Sequence, residues 1–168
     1  MKKEKPEVEE KSKGDILRKQ DHDRLEKQVH KSLEELKEIT KGAKVYKCMA
    51  CSAYTSADVP EDVDELVELH NYLKTTCCGK GDWAESSLGE WLGEQLEIEY
   101  VESKNGGYVG AIIMLSYGGS TIIVDTAKEK IVGTVGGGNI KIQKKLNDKI
   151  VERLDSALAE LFPQKNNQ

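Results

Sequence analysis

Four cysteines in two pairs are the residues of this chain with an obvious claim on chemistry: Cys48-Met49-Ala50-Cys51 and Cys77-Cys78. Zinc takes four ligands in a tetrahedron, and Cys-x2-Cys supplies two thiolates from one tight turn. The second pair is less regular. Cys77 and Cys78 are neighbours, and neighbouring side chains diverge in a strand. They can share one ion only through an unusual turn, for which Gly79 gives licence. A set of Cys48, Cys51, His70 and one of Cys77 or Cys78 meets the same requirement. The adjacency therefore favours no cofactor, with four reduced thiols packed as small apolar groups. Zinc held by Cys48, Cys51, Cys77 and Cys78 is the alternative. A dithiol redox motif fits less well, because the pair does not open a helix in a parallel-sheet pattern.

Other candidates are weaker. His70 falls on the apolar face of its helix and reads as a hydrogen-bonded histidine at the core edge. His22 and His30 lie on a charged helix and read as solvated. The run Gly136-Gly137-Gly138-Asn139 resembles a glycine turn before a helix, where backbone N–H groups can cradle phosphate. Neither the nucleotide-binding lysine pattern nor the dinucleotide spacing accompanies it, so it reads as a strand-to-helix loop. The acids Asp58, Glu61, Asp62, Asp64, Glu65 and Glu68 are spaced to decorate a helix surface. Catalytic carboxylates need an apolar pocket to move their pKa values, and no nucleophile pairs with a histidine in a familiar pattern. An enzyme reading survives only as a pocket between the sheet and the last helix, with Asp125 near Gly118 and Gly119 as its polar floor.

The elements that must position these residues follow from periodicity. Residues 1–14 are charged and nearly without large apolar side chains, as is 163–168, and both read as disordered tails. Residues 15–42 form a charged amphipathic helix, with Leu17, Leu25, Val29, Leu33, Leu36 and Ile39 on one stripe and Gly42 as the stop. That stripe either packs on the domain edge or pairs with a second copy, giving a homodimer through residues 15–41. Residues 43–162 form an α+β domain. Val45 to Tyr54 is an extended segment. A helix starts at Asp58-Val59-Pro60 and runs to about Lys74, and a short one lies near 87–95. From Leu96 the period becomes two. Four strands follow, near 96–100, 108–117, 121–125 and 131–135, joined by Asn105-Gly106-Gly107 and Gly118-Gly119-Ser120 turns. Asn139 is expected to cap a last helix showing Ile142, Leu146, Ile150, Leu154, Leu158 and Leu161. The expected fold is an antiparallel four-stranded meander packed with helices, preceded by a helical N-terminal arm.

The chain has 168 residues, 38% hydrophobic and 33% charged, with a net charge of −5. Its distribution matters more than its sum. Residues 1–47 carry 14 basic and 11 acidic side chains, 48–102 carry 2 and 13, and 103–168 carry 9 and 6. The middle segment, at −11, repels nucleic acid and suits a basic protein surface. No run of about 18 apolar residues exists and Met1–Lys13 has no apolar signal core, so the expected location is cytoplasmic, without membrane contact.

Three stretches look familiar: Leu88-Gly89-Glu90-Trp91-Leu92 through Leu96-Glu97-Ile98-Glu99-Tyr100, then Ser116-Tyr117-Gly118-Gly119-Ser120 through Val124-Asp125-Thr126, then Val132-Gly133 with Gly136-Gly137. Together with the helix around Val63-Asp64-Glu65-Leu66, they resemble small accessory proteins of phages and integrative elements. The likeness spans about residues 48–162. It departs at Ser120, where the pattern has proline, and at Val135, where it has tryptophan. It implies a mobile-element accessory protein and assigns no catalytic residue. The combined expectation is a non-enzymatic, protein-binding accessory protein acting through an acidic face, for instance as an anti-CRISPR-like inhibitor of a host defence nuclease. The alternatives are a zinc-stabilised module touching nucleic acid through its basic N-terminal arm, and a small enzyme.

Overall fold

A computed structural model describes residues 13–58, 68–69, 71–73, 77–80 and 82–162. The chain opens with helix α1 (Lys13–Thr40), followed by β1 (Lys44–Cys48), β2 (Tyr54–Ala57) and β3 (Trp83–Ser86). A short helix α2 (Leu88–Gly93) leads into β4 (Glu97–Glu102), β5 (Tyr108–Ser116), β6 (Ser120–Asp125), β7 (Lys130–Val135) and β8 (Ile140–Lys145). Helix α3 (Asp148–Leu161) closes the described part. The strands make two antiparallel sheets: a three-stranded one ordered β2-β1-β3 and a five-stranded meander ordered β4-β5-β6-β7-β8. The α+β class is as the sequence implies.

Helix α1 is a core element. Its stripe of Leu25, Val29, Leu33, Leu36 and Ile39 is buried in the chain's own core, while Ile16 and Leu17 stay exposed. It packs across β7, β8, β2 and α3. The approach to β7 is so close that a Cβ at Gly133 would overlap the Val29 and Leu25 side chains. At its C-terminal end a Cβ at Gly42 would fall inside the Ala57 backbone, so only glycine lets the helix end meet β2. Ser56 Oγ seals this junction, accepting from Gly42 N (2.9 Å) and donating to the Glu38 carbonyl (2.6 Å). The stripe, expected either to pack on the domain edge or to pair with a second copy, is thus consumed within one chain.

The meander has five strands, not four. Ile140 and Ile142 point inward while Lys141 and Gln143 are exposed, a period of two. The spacing from Ile142 to Leu146 to Ile150 mimics a helix only because a strand, a loop residue and a helix succeed one another. Asn147, rather than Asn139, is the N-cap, its Oδ1 accepting from Ile150 N at 2.8 Å. Gly136, Gly137 and Gly138 all take positive φ (63°, 67° and 94°) and form the β7–β8 hairpin. No helix follows them, so the phosphate-cradle reading falls. The sequence reading also lacked β3, and the single extended segment at 45–54 is two strands with a turn between them.

The Asp125-Thr126 pair is structural. Asp125 Oδ1 accepts from Lys128 N (3.0 Å) and its Oδ2 faces Lys128 Nζ (3.0 Å), closing the β6–β7 turn. Thr126 Oγ1 accepts from Ala111 N (2.9 Å) and donates to Asp155 Oδ1 (2.7 Å), which also receives the Tyr108 hydroxyl at 2.5 Å. Burial, reinforced by the Asp155 carboxylate, pushes the Tyr108 hydroxyl well above the usual tyrosine value. Gly118 and Gly119 precede β6 and Asp125 ends it, so the expected polar floor lies at the other end of the strand from those glycines.

Candidate metal centre

The four cysteines converge. One ligand sulfur from each of Cys48, Cys51, Cys77 and Cys78 lies within 4.8 Å of the others, at one end of the three-stranded sheet. Cys48 Sγ is 3.9 Å from Cys78 Sγ, and Cys77 Sγ is 3.9 Å from Cys78 Sγ. A disulfide would bring two sulfurs to about 2.05 Å. None forms here. A tetrahedron with Zn–S bonds of about 2.3 Å has sulfur–sulfur edges of about 3.8 Å. The observed separations therefore match a shared ion and exceed a disulfide.

Local backbone geometry makes this possible. Cys48 is the last residue of β1, where it pairs with Trp83 of β3. The chain then turns tightly: Ser52 N donates to Cys48 O and Cys48 N to Ala53 O, both at 2.9 Å. Ser52 takes a positive φ of 58°, which turns the chain out of this loop toward β2. Met49 N donates to Asp82 O at 2.9 Å and ties the turn to the approach to β3. Cys77 and Cys78 lie outside any strand, and Gly79 at φ 68° redirects the chain behind them. The alternation that would separate adjacent cysteines never applies. Cys48 is fully buried, Cys77 half-buried, and Cys51 and Cys78 exposed.

The electrostatics suit thiolates. The Cys48 thiol is lowered to about 7, chiefly by the backbone N–H of Cys51, with burial opposing and Ala50 N–H and the Cys77 thiol assisting. The Cys77 thiol is raised to about 12, first by burial and then by its hydrogen bond to Cys48, against N–H groups of Gly79 and Cys78. In the metal-free pair, one sulfur is the acceptor and the other keeps the proton. Four soft sulfur donors suit a closed, structural metal site.

Of the acidic candidates, Asp58 and Glu68 are among the described residues. Asp58 is exposed and its Oδ1 accepts from Ala43 N at 3.0 Å, which anchors the end of β2. Glu68 is exposed. Glu61, Asp62, Asp64, Glu65 and His70 lie outside the described residues. Among the described residues no helix is long and apolar enough to cross a membrane. No protein-family model matches the chain, and neither the curated proteins nor the solved structures give a significant match. The likeness to phage and integrative-element proteins therefore rests on the motifs quoted above.

Proposed function

We propose that this chain is a non-catalytic, zinc-stapled binding protein. The observation that carries this reading is the convergence of four cysteine sulfurs, all within 4.8 Å of one another and two pairs at 3.9 Å, at one end of a small sheet. The ion is structural. It joins the β1–β2 turn to the lead-in of β3 and completes a sheet too small to hold itself. It also closes a chain loop, because Cys51 and Cys77 bracket residues 52–76. Fixing the ends of a loop of about 25 residues removes a large part of its freedom. That loop carries Asp58, Glu61, Asp62, Asp64, Glu65 and Glu68.

The partner this favours is a protein with a basic surface, met by the acidic loop that the metal tethers. The mobile-element likeness suggests a host defence protein as that partner, with inhibition as the outcome. Steering by charge makes such binding fall steeply with salt. The test is affinity capture from host lysate at low salt, with and without prior metal removal, and with metal content measured on the same sample. The reading expects about one zinc per chain and a partner that is lost on chelation. Protein with less than about a tenth of an equivalent of zinc contradicts the metal half. A partner retained equally by chelated protein contradicts the link between metal and binding.

A further inference from the structure

The five-stranded sheet has two faces, and the core uses one of them. Register places Ile98, Ile113, Val124 and Ile131 on the inner face, under α1 and α3. The outer face is built from two rungs. One runs Glu97, Met114, Ile123, Val132, Gln143 across β4 to β8, and the other Glu99, Ile112, Asp125, Lys130, Lys145. None of these side chains joins the core cluster, although Asp125 and Val132 are themselves buried and Ile112, Met114 and Ile123 are half-buried. The centre of the face is thus apolar (Ile112, Met114, Ile123 and Val132), where a sheet face turned to water ordinarily alternates to polar residues. Its edges carry opposite charge: exposed Glu97 and Glu99 on β4, exposed Lys141 and Lys145 on β8. Lys145 also reaches Glu129 at 3.5 Å, but both side chains remain largely exposed.

We infer that this outer face is the interface of a symmetric homodimer, two sheets packed face to face about a twofold axis that runs along the strands. The charge pattern selects this occupant and this axis. Rotation about an axis along the strands exchanges the two edges, so β4 of one copy lies over β8 of the other. Glu99 then faces Lys145 of the other copy, and Glu97 lies over Gln143, one rung from Lys141, twice over, around a shared apolar strip. An axis across the strands would instead stack glutamate on glutamate. Five strands about 4.8 Å apart and about six residues long give a face of roughly 20 by 20 Å. That is the scale on which aligned sheets pack into sandwiches. The inference is independent of the zinc staple, which sits on the other sheet.

Sedimentation equilibrium of the full chain at about 100 μM, a concentration chosen to populate even a weak dimer, tests it. The expected mass is twice 18.7 kDa. Ile123→Asp is expected to halve that mass with the far-UV circular dichroism unchanged. E97K/E99K and K141E/K145E are each expected to be monomeric alone, because each makes both edges alike. Mixed in equal amounts they are expected to form a heterodimer. A mass of 18.7 kDa for the unmodified chain overturns the inference, as does a dimer indifferent to Ile123→Asp or a mixture that stays monomeric.

Discussion

Cys48 is fully buried, yet its sulfur is surrounded by donors that favour a negative charge, the N–H groups of Cys51 and Ala50 foremost. A thiol packed as a small apolar group would have no use for them. Such N–H contacts are what orient a metal thiolate. Replacing Cys48 with serine is expected to lower zinc affinity by more than about tenfold, read by competition with a chromogenic chelator. Unchanged affinity would place the ion elsewhere. Glu38 makes a second residue-scale prediction. Burial raises its pKa, but the hydrogen bonds from Lys41, Thr55 and Tyr72 outweigh that and leave it below 4.5. A depressed carboxyl pKa gives stability that is present above the unfolded value and is lost as pH falls through the folded one. Glu38→Gln is therefore expected to cost about 1–2 kcal/mol at neutral pH. It should also flatten the acid limb of the stability curve below about pH 4.5, measured by urea unfolding. Equal acid limbs in the two proteins would contradict this. The cysteine pairs were legible in the sequence. Their convergence was not, because adjacency argues against sharing an ion only if Cys77 and Cys78 sit in a strand. They do not, and Gly79 at positive φ turns the chain immediately after them.

At the scale of elements, period two from Leu96 onward made the meander readable, and the stripe from Leu25 to Ile39 made α1 readable. Strand β8 was hidden because Ile142 and Leu146 continue the spacing of α3, and β3 because Trp83-Ala84-Glu85-Ser86 alternates little. The strand conformation of β3 is set by pairing with β1, a non-local contact that no window along the chain contains. The asymmetry of the two sheets has a consequence for stability. The meander is held by inner-face aliphatics and by α1, whereas the three-stranded sheet is short and ends on the cysteines. Zinc removal is expected to raise amide exchange across residues 44–57 and 83–86 by more than about tenfold while β5, β6 and β7 stay protected. Equal loosening of both sheets would show that the metal stabilises the whole core. The tight seat of α1 on β7 predicts that Gly133→Ala costs about 1–3 kcal/mol through overlap with Val29 and Leu25. A denaturation midpoint equal to that of the unaltered protein would contradict that packing.

On the scale of the whole molecule, charge and the candidate metal site meet in one part of the chain. The segment from 48 to 102 carries 13 acids against 2 bases and contains all four sulfurs. The proposed zinc staple would give that charge a fixed attachment to the three-stranded sheet. A catalytic reading finds less support at this scale, since Asp125 closes a turn and the three glycines at 136–138 form a hairpin. X-ray absorption at the zinc edge of the protein purified without added chelator tests the staple most directly. A single shell of four sulfurs at about 2.3 Å is the predicted result. A shell of oxygen or nitrogen ligands, or no zinc signal from protein whose four thiols are reduced, would contradict it.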